Sequence, residues 1–135
     1  MPQKTIVDAG PIVAYLTHDD NHDWAVRQFS RFPYFETCEP VLAEACARLV
    51  YAGFDQAAAI RLVHRGVVRL SFDASANIGR ILQLMEKYRD QPMDFADACL
   101  VVMSEESPDS LVLTLDSDFK VYRRSGRDII PTLTP

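Results

Sequence analysis

Five acidic side chains in this chain stand where chemistry is possible. Asp8 ends the apolar run Thr5-Ile6-Val7, and Asp116 ends the run Leu111-Val112-Leu113-Thr114-Leu115. An aspartate behind a strand is ordinarily a turn former or a helix cap. Two of them behind the two most apolar strand-like runs place both at the carboxyl edge of a sheet, where open α/β sheets take their ligands. Asp94 and Asp97 lie three apart in Pro92-Met93-Asp94-Phe95-Ala96-Asp97-Ala98, a spacing that puts both on one helix face near its N-terminus. The helix dipole accounts for Asp94. Asp97 is harder to dismiss, because Phe95, Ala98, Leu100, Val101 and Val102 make this a buried helix, and a carboxylate among such neighbours needs a partner. Glu44, in Pro40-Val41-Leu42-Ala43-Glu44-Ala45-Cys46, also interrupts an apolar helix surface; alone it reads equally well as an exposed helix glutamate.

An all-oxygen set of this kind suits Mg2+ or Mn2+, hard cations that keep several waters and share their coordination with a substrate phosphate. The chemistry on offer is phosphodiester hydrolysis. Such an ion polarises the phosphoryl oxygens, acidifies a water and steadies the leaving oxygen. Zinc is not indicated: His18, His22 and His64 share no ligand spacing, and no two of Cys38, Cys46 and Cys99 form a CxxC pair.

The elements that must position these acids follow from the hydrophobic pattern. Gly10-Pro11 breaks the first strand and opens a helix with Ile12, Val13, Tyr15 and Leu16 on its core face. Asn21 or Asp20 is placed to cap a helix from about His22 to Phe32, and Pro33 stops it. A short strand over Phe35–Cys38 precedes a helix that begins at Pro40 and ends at Gly53. Asp55 heads a helix over Gln56–His64, and Val67–Phe72 is a strand pattern. Asp73 or Ser75 opens a helix carrying Ile78, Ile81, Leu82 and Met85. A further helix spans about Asp94–Glu105, a strand spans Leu111–Leu115, and Ile129 and Ile130 form a last short strand before Pro131. Strands separated by helices imply an α/β fold with a mostly parallel central sheet.

At 135 residues and 48% hydrophobic content the chain is expected to form a single domain over 1–135, with no repeat and no linker. No stretch is apolar for long enough to span a membrane, and the polar N-terminus does not look like a secretion signal. The odd cysteine count fits free thiols in a reducing compartment, and so a cytoplasmic protein. A net charge of −5 argues against coating nucleic acid by bulk electrostatics but not against a nuclease, whose acids bound cations neutralise.

Taken together, these segments resemble a known family. Ile6-Val7-Asp8-Ala9-Gly10-Pro11-Ile12-Val13-Ala14-Tyr15-Leu16 resembles the opening strand and helix of PIN domains. Glu44 in its context resembles the family's second acid, Asp97 in Met93-Asp94-Phe95-Ala96-Asp97-Ala98 the third, and Asp116 in Leu113-Thr114-Leu115-Asp116-Ser117-Asp118-Phe119 the fourth. Each motif is weak alone; four in order, from Ile6 to about Arg124, are specific. The resemblance implies a three-layer α/β/α domain and a metal-dependent ribonuclease, with Asp8, Asp97 and Asp116 ligating Mg2+ or Mn2+ and Glu44 holding a second ion or orienting the attacking water. The small members are mostly VapC-type toxins, which implies cleavage of a structured RNA such as tRNA or rRNA, a homodimer, and inhibition by a cognate antitoxin. One departure stands out: Ala9 and Gly10 follow Asp8 where the family commonly has Ser or Thr. Thr114 is the candidate replacement hydroxyl, with Asp94 and Asp118 as further supporting acids.

Lys120, Arg123, Arg124 and Arg127 form the densest basic run, and Arg61, Arg65 and Arg69 a looser one; both are candidate phosphate contacts. Phe119 is expected in the core and Tyr122 is a candidate for base stacking. Two other functional classes fit less well. A receiver domain wants an acid pair at the first strand, and a haloacid-dehalogenase-type phosphatase wants Asp-x-Asp there; the segment Asp8-Ala9-Gly10 has neither. The closer rival is a PIN fold that binds RNA without cutting it.

Overall fold

The computed structural model describes residues 3–135; the expected domain of 1–135 also takes in Met1 and Pro2, which lie outside the described residues. The centre is a five-stranded sheet in the order β3-β2-β1-β4-β7, made of β1 (Thr5–Val7), β2 (Phe35–Thr37), β3 (Val68–Leu70), β4 (Leu111–Leu113) and β7 (Thr132–Leu133). Every pairing in it is parallel. Ile6, Val7, Val112 and Leu113 are at most 1% exposed, as strands covered on both faces must be.

Among the described residues six helices flank the sheet: α1 (Ala9–Leu16), α2 (His22–Arg31), α3 (Glu39–Tyr51), α4 (Ala57–His64), α5 (Ile78–Lys87) and α6 (Phe95–Glu106). From β1 to β3 the chain steps outward on one side; it then crosses back to place β4 on the other side of β1. With right-handed crossovers, that reversal puts the helices of the two halves on opposite faces. The contacts agree, α1 packing on α2, α3 and α4, and α5 packing on α6. The reversal also makes the β1/β4 junction the topological switch point, where a crevice opens beyond the carboxyl ends of the strands.

Local sequence accounts for the element ends. Pro40 occupies the first turn of α3, where a missing N–H costs nothing. Gly53, with φ +84°, takes the left-handed conformation beyond its C-terminus. Asp73 Oδ1 accepts from Ala76 N and starts the short 3₁₀ turn Ser75–Asn77 that leads into α5. Neither expected cap of α2 acts through its side chain: Asn21 makes no side-chain cap bond, and it is Asp19 Oδ1 that accepts from Asn21 N.

The C-terminal region corrects one expectation. Ile129 and Ile130 do not form the last strand of the sheet. β6 (Asp128–Ile129) pairs antiparallel with β5 (Arg123–Arg124) in a small separate arm, and Ile129 is 70% exposed. Ser125 and Gly126, at φ 51° and 83°, turn that arm over. The chain rejoins the sheet only at Pro131, whose carbonyl accepts from Val112 N, so β7 follows the proline. Proline has no N–H to give a ladder but loses nothing as an acceptor at a strand's start. Cys38 and Cys99 are buried and Cys46 is half-buried; all are free. No helix among the described residues is long and apolar enough to cross a membrane.

Candidate active site

The parallel register decides where the acids meet. Thr5, Ile6 and Val7 of β1 lie opposite Leu111, Val112 and Leu113 of β4, so Asp8 and Thr114 leave the sheet side by side. Asp8 N donates to Leu113 O, which continues the ladder by one bond. The Asp8 side chain then caps α1, Oδ1 accepting from Ala9 N at 2.8 Å. The third acid comes from α6. Asp94 is its N-cap: Oδ1 accepts from Asp97 N at 2.8 Å, and Asp97 Oδ2 reaches back to Asp94 N at 3.4 Å. This capping box fixes the first turn of α6 and holds Asp97 on its inner face.

Asp8, Asp97 and Asp116 each bring a carboxylate oxygen within 4.8 Å of the others. They share a cavity of about 380 Å³ that Gly10, Glu44, Arg48, Asp94 and Asp118 help to line. Asp8 is 6% exposed and Asp97 7%. Among the described residues no ion pair neutralises any of the three.

The electrostatics record this crowding. Burial pushes the Asp97 carboxyl up to about 7, and the charges of Asp94, Asp8 and Asp116 push the same way. Burial also raises Asp8, with Asp116 and Asp94 adding to it; bonds from Ala9 N and Thr114 pull against the rise. Glu44 is raised by burial first and then by Asp8 and Asp94, with Arg48 opposing. Three acids this close and this poorly compensated need a cation. Carboxylate oxygens alone, in a cavity open to water, match a hard divalent ion that keeps part of its hydration. The donor set fits Mg2+ or Mn2+.

The supporting groups take definite places. Thr114 Oγ1 donates to Asp8 Oδ2 at 2.8 Å and accepts from Asp116 N at 2.9 Å, so one hydroxyl ties the first acid to the last. That hydroxyl arrives from β4, across the sheet from the Ala9-Gly10 positions that lack one. Gly10 has its own reason: a Cβ there would meet Leu115 Cβ at 3.2 Å, so glycine lets α1 close onto the segment that carries Asp116. Asp118 N donates to Asp116 Oδ1 at 2.8 Å, which holds Asp116 as the cap of a 3₁₀ turn over Ser117–Lys120. Glu44 faces the same cavity from α3 but lies outside the trio of converging acids.

Some residues are placed otherwise than their types suggested. Tyr122 is fully buried, and its hydroxyl donates to Asp97 Oδ2 at 3.2 Å; it supports an acid and cannot stack a base. Phe119 is core, at 1% exposed. Arg123 turns its guanidinium onto the carbonyls of Lys120, Val121 and Tyr122. Arg124 reaches the carbonyls of Ser104 and Pro108 at the end of α6. These two of the basic run therefore hold backbone in place, while Lys120 stays exposed. The reading of the sequence missed Tyr122 as a support and Arg48 as a cationic wall residue of the cavity. Arg48 stands four residues after Glu44 on one helix, a spacing that was open to view; nothing local marks Tyr122.

A family model for the PIN domain matches residues 5–125. The chain belongs to the PIN domain family. Among solved structures, this PIN domain is similar to VapC20 of Mycobacterium tuberculosis, described as a sarcin–ricin loop cleaving toxin. The TM-score is 0.75 at 20% identity, over 87% of this chain and 94% of that one. At that identity the likeness speaks to fold, and the fold agrees: a mostly parallel central sheet flanked by helices. No curated protein matches the chain.

Proposed function

We propose that this PIN domain is a metal-dependent endoribonuclease and the toxin of a toxin–antitoxin pair, acting on a structured cellular RNA such as tRNA or rRNA. One observation carries the reading: three carboxylates converge at the switch point of the sheet, two of them buried, with no ion pair among the described residues to offset them. A fold that only bound RNA would gain nothing from burying acids against phosphates. The similarity to VapC20 supports the toxin assignment.

Asp8, Asp97 and Asp116 would hold Mg2+ or Mn2+, and Glu44 would hold a second ion or orient the attacking water. Held by these residues, a divalent ion would supply Lewis acidity to the phosphoryl oxygens and to a bound water. The chain's own groups prepare that arrangement. Thr114 keeps the Asp8 lone pairs aimed into the cavity, Asp94 fixes Asp97, and the Asp118 backbone fixes Asp116. Glu44 faces the same cavity from α3, its affinity for a proton raised by burial and then by Asp8 and Asp94, which suits it to orient a water there.

The free cysteines and the habits of the family support a toxin that works in the reducing cytoplasm, with a cognate antitoxin as its inhibitor. A homodimer is the proposed assembly. Ile78 and Leu82, 59% and 58% exposed and one turn apart on α5, offer apolar surface for it. Light scattering of the antitoxin-free protein tests this, and a monomer at micromolar concentration would exclude it.

The test of function is cleavage of total cellular RNA by purified, partner-free protein with Mg2+ or Mn2+, beside EDTA and Asp97→Asn controls. Discrete fragments that vanish in both controls are expected. Folded protein that cuts nothing with either metal would return the domain to a non-catalytic RNA-binding role.

A further inference from the structure

Two clefts open on either side of Glu44, and they differ in charge. One, of about 650 Å³, runs toward the 3₁₀ turn before α5 and the N-terminus of α6; Glu39, Asp73 and Asp94 face it, Phe72 and Phe95 form its apolar wall, and no cationic side chain among the described residues lines it. The other, of about 620 Å³, lies between the C-terminal ends of α1 and α3 and presents His18, Arg48, Tyr51 and Phe54, with Asp19 its acid besides the shared Glu44. Arg48 borders both this second cleft and the acid cavity.

Glu44, Arg48 and Tyr51 stand at i, i+4 and i+7 on α3, which aligns them as one stripe running out of the cavity. The stripe covers about 10 Å along the helix axis. Among the described residues no ion pair engages Arg48. Tyr51 is 96% exposed, and the His18 ring sits edge-on to Phe54 at 5.8 Å. A fully exposed aromatic one turn beyond an unpaired arginine has no role in the core.

A polyanion approaching three acids is repelled unless a cation anchors it at the rim. Arginine is suited to that work because its planar fork matches phosphate oxygens in pairs. Unpaired bases in RNA are held by stacking on aromatic rings, since every base has a π-face. The second cleft has both devices in the order a strand would meet them. The first has aromatics but only acids around them, which disfavours a phosphate chain.

We propose that the cleft between α1 and α3 seats the single-stranded RNA segment flanking the scissile phosphate. Arg48 contacts a phosphate at the mouth of the acid cavity, and Tyr51 stacks on the neighbouring unpaired base. The strand therefore enters and leaves along α3 and avoids the acidic cleft. This placement rests on the ribonuclease reading and adds to it the path by which the strand reaches the acids and the two side chains that hold it.

The test uses a fluorescein-labelled single-stranded RNA dodecamer of mixed sequence, with binding read by anisotropy on the Asp97→Asn protein. In that background Arg48→Ala and Tyr51→Ala should each weaken binding about tenfold, Tyr51→Phe should restore it, and Phe95→Ala in the other cleft should leave it unchanged. Arg48→Ala should also flatten the dependence of log affinity on log salt by about 0.7, whereas Tyr51→Ala should not. The same dodecamer annealed to its complement should compete poorly. Binding within twofold of the parent for both Arg48→Ala and Tyr51→Ala overturns the proposal, as does a larger loss from Phe95→Ala. Loss of a co-purifying protein in Tyr51→Ala with RNA affinity intact overturns it too, and makes the cleft a protein-docking surface. Cleavage of total RNA by the wild type is scored separately. If it persists while the cleft variants bind normally, only the RNA path fails; if the wild type neither cuts nor binds RNA, the ribonuclease reading fails with it.

Discussion

Asp97 is the residue on which the centre turns, because it is buried, crowded by three other carboxylates and still required to be charged when a cation binds. Asp97→Asn should reduce metal-dependent cleavage to the EDTA background. It should also stabilise the metal-free protein by about 1 kcal/mol, since functional sites hold groups that weaken the fold. Urea denaturation in EDTA checks this, and a lower midpoint for the variant would show that the acids do not repel one another as described. Thr114 acts one step further out. Thr114→Val removes the donor to Asp8 Oδ2 and the acceptor for Asp116 N while keeping the side-chain shape. Loss of such a support commonly costs 10–100-fold in metal affinity, and about that loss is expected here. Calorimetric titration with Mn2+ measures it directly, and unchanged affinity would remove Thr114 from the centre.

At the scale of elements, the acids are held by the ends of secondary structure. The first turn of α1 lies against Leu115 only because residue 10 has no side chain. Gly10→Ala should force Leu115 aside, at a cost of about 1–2 kcal/mol. It should also lower metal affinity, because Asp116 is the next residue along. A variant with wild-type thermal stability would mean that Leu115 has room to yield. The N-terminus of α6 gives a different test. Asp94→Ala breaks the capping box and should cost about 1 kcal/mol, whereas Asp94→Asn keeps a cap of similar quality. Asp94→Asn also removes a negative charge that raises Asp97. The Asp97 carboxyl should then titrate below about 7, as carbon-13 NMR of the side chain would report.

The whole molecule carries the pH dependence. In the fold the Asp97 carboxyl keeps its proton up to about 7, whereas its ordinary value is 3.8. Between those two pH values the folded state binds more protons than the unfolded chain, so stability falls as pH rises through that window. Metal-free protein should therefore melt at a higher temperature at pH 5 than at pH 8. Millimolar Mg2+ should restore the loss at pH 8 and do little at pH 5, where protons compete for the same oxygens. Scanning calorimetry at the two pH values, with and without Mg2+, measures both effects. A melting temperature independent of pH and metal would sink the description of the cluster as an uncompensated cation site.

Much of this was legible in the chain because each signal is local. The runs Ile6-Val7 and Val112-Leu113 are strands by their apolar, branched character, and the aspartates that follow them leave the sheet at its carboxyl edge whatever the topology. Asp94 and Asp97, three apart before a buried helix, mark the first turn of α6. Spacing alone therefore determined the type of fold, the oxygen-donor chemistry and the segments that carry the acids. What it left open is everything that depends on which segments become neighbours. Pairing of β1 with β4 brings Asp8 and Thr114 together across 106 positions of sequence, and no local rule contains that pairing. Tyr122 finds Asp97, Arg124 finds the end of α6, and the final strand waits until Thr132. Each is settled by the competition for buried space and unpaired backbone groups in the finished fold. The same holds for the two clefts beside Glu44: their difference in charge comes from helices that meet only after the chain has crossed over the sheet.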